Sequence, residues 1–160
     1  LFFYSTWEDI SLFQNLSRII YLFIKTFGKK SNIYNNYNIR FLLIDFPRIL
    51  NNACNSFKEI GDKYGPFDFA MLECGQYNEQ WSQIHMTPEE TIQASIDVQS
   101  TLSMPIHWGS FKLALHSWDD PIVRVSAKAN ELNVKITTPK VGEAIILDGS
   151  KYPSDKWWEN

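Results

Sequence analysis

Residues 67–74 read Phe-Asp-Phe-Ala-Met-Leu-Glu-Cys. Apolar side chains interrupted only by Asp68 and Glu73, with Gly65-Pro66 before and Gly75 after, predict a short, mostly buried strand. Working outward, residues 75–86 form a long loop that carries Tyr77, Trp81 and His85. Thr87-Pro88-Glu89-Glu90 is a helix start: Thr87 caps, Pro88 takes the first helical position, and Glu90 closes a capping box. That helix is expected to run to about Ser100. Residues 103–107 (SMPIH) predict a second strand, followed by Trp108-Gly109. Asp119-Asp120-Pro121 opens another helix to about Leu132, where either aspartate favours the positive helix end. Two short strands, 134–137 and 143–147, follow. Upstream, residues 56–64 (SFKEIGDKY) predict a short helix. Strands alternating with helices predict a layered α/β architecture.

The first part of the chain has another character. In residues 8–27, Leu12, Leu16, Ile19, Ile20, Phe23, Ile24 and Phe27 fall at helical spacing, with Gly28 as a stop. The Asn/Tyr stretch at 31–38 reads as a loop, and 39–46 as a short buried strand closed by Pro47. Charge divides the same way. Residues 1–55 hold six Lys/Arg against three Asp/Glu, a net +3, whereas 56–160 hold nine against fifteen, a net −6. The expected organisation is therefore 1–55, an atypical leader of helix, Asn-rich loop and short strand, and 56–160, the main body.

Composition narrows the function classes. With 160 residues, 44% of them hydrophobic, the chain can bury a core and is not disordered in type. A formal charge of −3 gives no sign of a nucleic-acid partner. Cys54 and Cys74 form neither a disulfide framework nor a zinc ribbon, and read as reduced thiols in a cytoplasmic protein. The best apolar run, 19–24, is far shorter than the ~20 residues that span a bilayer. A peripheral contact with a membrane surface and self-association stay open, the latter through Trp157-Trp158, which could equally dock on the body.

An ordered set of short runs carries a resemblance. Phe57-Lys58-Glu59-Ile60-Gly61 with Tyr64-Gly65-Pro66-Phe67-Asp68 comes first. Gly75-x-Tyr77 with Trp81, then His85-Met86-x-Pro88-Glu89-Glu90, and last Ile106-His107-Trp108-Gly109-x-Phe111 follow. Together, over about residues 56–148, they resemble the metallo-β-lactamase superfamily. The branch is that of N-acylphosphatidylethanolamine-hydrolysing phospholipase D and ascorbate-6-phosphate lactonase-like proteins, with the former the better likeness. The resemblance implies an αββα sandwich, of which this chain would hold the C-terminal half beside an atypical N-terminal helical segment. It also implies a two-metal zinc site whose bound hydroxide attacks a phosphodiester or strained ester.

The family builds that site from a His-x-His-x-Asp-His motif, a later His, a bridging Asp and a last His. This chain has three histidines, His85, His107 and His116, so the motif is absent. By resemblance His107 is the last metal ligand, against the plainer reading of a strand-end histidine satisfied by backbone. His85 faces the substrate, hydrogen-bonding the phosphate or leaving group, against a solvent-exposed loop histidine. Tyr77 and Trp81 line a substrate pocket, or simply pack the loop onto the core. His116 has no family role and reads as surface. Asp45 ends a plausible strand but lacks the family's Gly-Asp-Ser/Thr-Gly-like turn, which argues against it as the bridging ligand. Glu73 reads as a buried, paired carboxylate.

Two functions remain in view. One is the C-terminal part of a zinc-dependent hydrolase of phospholipid-like phosphodiesters or lactone-like esters, inactive as this isolated chain. The other is a non-catalytic interaction or structural module derived from such a hydrolase. Residues 1–55 resemble the family nowhere, and the chain opens at Leu1 rather than Met. The expectation is a fragment from a partial gene or damaged reading frame, which genomic sequence encoding an intact N-terminal half in frame would exclude.

Overall fold

In the computed structural model of the chain, the residues described are 40–44, 53–82, 84–109, 112, 114–147 and 151–159. The predicted helix at 8–27, the loop at 31–38, Asp45 and Phe111 lie outside them. The body is mixed α/β. Strands β1 (Phe41–Ile44), β2 (Phe69–Glu73) and β3 (Ser103–Ile106) form a sheet in the order β1-β2-β3, and both pairings are parallel. Helix α1 (Ala53–Tyr64) joins β1 to β2, α2 (Pro88–Asp97) joins β2 to β3, and α3 (Asp120–Leu132) follows β3. Parallel neighbours need such crossovers, because a tight turn cannot return the chain to the same end of the sheet. Strand β1 lies in the stretch that composition assigned to the leader, and α1 runs through position 55/56.

β2 is central, and four of its five residues are buried. The near-continuous apolar run at 67–74 follows from that place in the sheet. Phe67, Leu72, Ile92, Val98, Leu102, Ile122 and Val125 are almost wholly removed from solvent. Each contributes about 1.5–3 kcal/mol relative to an exposed side chain. Helix α2 packs against α1, α3 and β2. Its capping box forms as the residues require: Thr87 Oγ1 accepts from Glu90 N at 3.3 Å, and the Glu90 carboxylate accepts from Thr87 N at 2.8 Å. Two hydroxyls tie α2 to the sheet. Thr91 Oγ1 donates to the Glu73 carbonyl at 2.7 Å, and Ser95 and Ser103 share a buried bond of 2.7 Å.

The structure departs from the sequence expectations near element ends. α2 stops at Asp97 rather than Ser100, because Gln99 takes a left-handed backbone (φ 58°) and Ser100 bridges to Phe67. The strand expected at 134–137 shrinks to one parallel bridge, Ser103 with Ile136. Thr137 N keeps its bond to the Ser103 carbonyl at 2.9 Å, whereas Thr138 N turns to the C-terminal segment and donates to the Pro153 carbonyl at 2.8 Å, which also accepts the Thr137 hydroxyl at 2.7 Å. No strand forms at 143–147; Glu143 N closes a turn on the Lys140 carbonyl at 2.9 Å. Trp157 and Trp158 dock on the body. Trp158 is buried with Cys74, Ile92, Ile122, Val125 and Ala129, and Trp157 stacks on Trp108 at 5.3 Å.

Candidate functional site

β2 and β3 end side by side, with Glu73 opposite Ile106 in register. Just beyond these carboxyl ends lie Gly75 on one strand and His107 on the other. Ligands of open α/β sheets bind outside the carboxyl ends of the strands. Gly75 is pressed against its neighbour: a Cβ built there would stand 1.9 Å from the His107 carbonyl oxygen. His107 has a left-handed backbone (φ 70°), so the chain turns at once after β3 and leads into Trp108. The Trp108 indole donates to the Pro105 carbonyl at 3.0 Å and packs on Trp157 and Trp158, holding that turn down.

Glu73 is fully buried and organises the loop that returns toward it. One carboxylate oxygen accepts from Gly75 N at 3.0 Å and sits 3.1 Å from His85 Nδ1. The other accepts from Met86 N at 2.9 Å. The expectation that Glu73 is a buried, paired carboxylate holds, and its partners give it a positioning role that sequence could not show. With Nδ1–H donated to Glu73, a neutral His85 keeps Nε2 as its basic nitrogen. The His85 and His107 rings meet edge to face, with centroids 5.3 Å apart. The structure thus brings together two residues separated by 22 positions in the chain, and a carboxylate fixes one of them.

Tyr77 takes a different place. Its hydroxyl donates to Asp120 Oδ2 and accepts from Arg124 Nη1 at 3.0 Å. Its ring stacks on His116 at 4.2 Å and lies under the Arg124 guanidinium at 4.9 Å. Arg124 also grips Glu89 with two bonds, 3.0 and 2.6 Å. This cluster ties the β2–α2 loop to α3. His116, read as surface, is half-buried under Tyr77, with Nδ1 bonded to the Ser117 carbonyl at 2.8 Å. Trp81 lies in a 3-10 turn, Glu79–Trp81, capped by Asn78. Nothing in the sequence pattern flagged Asp120, Arg124 and Glu89 as partners, because they sit on two helices. Cys74 is buried beside this region, and desolvation, with the Glu73 carboxylate adding, pushes its thiol far above the ordinary range. It is therefore inert as a nucleophile.

Desolvation raises the Glu89 carboxyl, but the Arg124 hydrogen bonds outweigh it and hold the group below its usual value. A folded-state value below the unfolded one stabilises the fold at pH above the unfolded value, and that stability is lost as pH falls through the folded value. The urea midpoint is expected to fall with acidification from about pH 5 to pH 3, less so in Arg124→Gln. Equal slopes in the two proteins would show that the pair contributes nothing, a real outcome for groups this exposed.

A catalytic zinc takes three protein ligands and leaves a position for water. Two imidazoles adjoin here, and both Glu73 oxygens are already engaged. Among the described residues, no group of three or more His, Cys, Asp or Glu is arranged to hold an ion. These residues by themselves do not complete a zinc centre.

Residues 52–108 match the family described as the beta-lactamase superfamily domain. An uncharacterized protein of Mycobacterium tuberculosis is 40% identical over 108 residues, which cover 64% of this chain and 28% of that protein. The outer membrane protein RomA of Klebsiella pneumoniae is 49% identical over 53 residues, 33% of this chain and 40% of that protein. An N-acyl-phosphatidylethanolamine-hydrolyzing phospholipase D of Caenorhabditis elegans is 37% identical over 59 residues, 36% of this chain and 17% of that enzyme. The chain thus spans well under half the length of these relatives. Among the described residues no helix is long and apolar enough to cross a membrane.

Proposed function

We propose, from the match of residues 52–108 to the beta-lactamase superfamily domain, that this chain supplies the C-terminal wall of a metal-dependent hydrolase centre of the metallo-β-lactamase kind. The substrate class is a phosphodiester of the N-acylphosphatidylethanolamine kind, or a related ester. The observation that carries this reading is the Glu73-oriented His85 beside His107, at the carboxyl ends of β2 and β3. His107 is the metal ligand. His85, with Nδ1 tied to Glu73, presents Nε2 to the substrate or its leaving group, to hold or pass a proton. Glu73 keeps that ring in one tautomer and one orientation. Tyr77 and Trp81 are proposed as substrate-binding residues of the same loop, Tyr77 from the cluster it forms with Asp120 and Arg124. Zinc is the metal proposed. Among the described residues this reading supplies one metal ligand, His107, where a catalytic zinc takes three, so the chain by itself is expected not to turn over.

Zinc titration followed by the imidazole NMR resonances tests this. The His107 ring is expected to shift, with the adjoining His85 ring following and His116 unmoved. His107→Ala should abolish the response of His85. The purified chain should show no chelator-sensitive hydrolysis of bis(4-nitrophenyl) phosphate. A zinc response spread equally over all three histidines would sink the ligand assignment. Chelator-sensitive turnover would overturn the inactivity of the chain alone.

A further inference from the structure

A cavity that shares no residue with the Glu73–His85–His107 group opens between the C-terminal half of α3, the bridge segment 134–138 and residues 151–158. Its volume is ≈ 470 Å³, inside the range of about 300–1,000 Å³ that small-molecule sites occupy. Lys135, Lys151 and Lys156 line it, and no carboxylate does. That local charge runs against the net −6 of residues 56–160. Lys156 is paired with Glu159 at 2.9 Å, while Lys135 and Lys151 have no carboxylate partner among the described residues. Three lysines on one cavity wall, with no lining carboxylate, favour an anion there.

The wall gives the second part of the argument. Tyr152 and Trp158 line the same cavity beside Thr138. Trp158 is 5% exposed, and its indole N–H is buried without a hydrogen-bond partner. Aromatic faces suit a flat or apolar group, and separate point charges suit a dianion with several acceptor oxygens.

We propose that this cavity binds a small organic phosphate, with the phosphate among Lys135, Lys151 and Lys156 and the apolar portion against Tyr152 and Trp158. The proposal is independent of the hydrolase reading, because none of the cavity residues belongs to that site.

Calorimetry on the whole chain, with the tryptophan indole N–H signals followed by NMR, tests it with phenyl phosphate, inorganic phosphate and phenol. Phenyl phosphate is expected to bind saturably and to shift the Trp158 indole signal. Inorganic phosphate should bind about tenfold more weakly for want of the aromatic contact, and phenol should not bind. The double variant Lys135→Gln/Lys151→Gln alters two exposed side chains and should leave the melting temperature unchanged. It should weaken phenyl phosphate at least about tenfold. His107→Ala should leave this affinity unchanged. Absence of saturable phenyl phosphate binding, or equal affinity in the double-lysine variant, would overturn the proposal. Loss of binding in His107→Ala would overturn it too, and would place the phosphate at the histidine pair instead.

Discussion

Replacing Glu73 with alanine is expected to cost about 3–5 kcal/mol of folding stability. Three donors turn on this side chain: Gly75 N, Met86 N and His85 Nδ1. Removing both oxygens leaves the two backbone donors without an acceptor, in a place water does not reach. It also removes the Cγ methylene, buried with the rest of the side chain. For a domain held by about 5–15 kcal/mol, that is a large share of the total. Glu73→Gln should cost less, about 2–3 kcal/mol, because one oxygen survives while the new amide faces a donor. His85→Ala should cost about 1 kcal/mol or less, since it removes one bond at a partly exposed ring. Urea unfolding of the three variants checks the order. A Glu73→Ala loss no greater than that of His85→Ala would mean that the carboxylate does not organise the loop.

The second large effect is expected from Gly75→Ala, with a loss of at least about 3 kcal/mol. The new methyl would meet the His107 carbonyl oxygen at 1.9 Å and its carbon at 2.7 Å. Both are backbone atoms, so no side chain can swing aside, and the ends of β2 and β3 must part. The cost therefore falls on the site, and the packing of His85 on His107 should disappear with it. Gly109→Ala is the control. Gly109 has φ +77° but no atom within 4 Å of a built Cβ. Its substitution meets torsional strain alone, about 1 kcal/mol. Thermal unfolding gives the stabilities, and ring-proton contacts between His85 and His107 give the geometry. Equal losses in the two variants, with the ring contact intact in Gly75→Ala, would refute the close approach as the cause.

Local signals in the sequence sufficed for much of the fold. The apolar run 67–74 is the central strand, Thr87 to Glu90 is a capping box, and Asp119-Asp120-Pro121 opens α3. Each depends on residues within a few positions of one another, and a linear reading can see them. Element ends were less legible. α2 stops early because Ser100 is drawn to Phe67, and the strand expected at 134–137 yields to contacts with Pro153. Long-range partners decide those boundaries, and propensity carries no information about them.

The sequence by itself determined the superfamily likeness, the alternation of strand and helix, and the absence of the His-x-His-x-Asp-His motif, because these reside in residue identity and spacing. Only the tertiary structure decided which side chains meet. It set Glu73 against His85, His85 against His107, and Tyr77 between Asp120, Arg124 and His116. It also placed three lysines and Trp158 on the wall of one cavity. The physical reason is that parallel pairing of β2 and β3 carries residues distant in the chain to one sheet edge. Hydrogen bonds and ring contacts act over a few ångströms in space, whatever the separation along the chain.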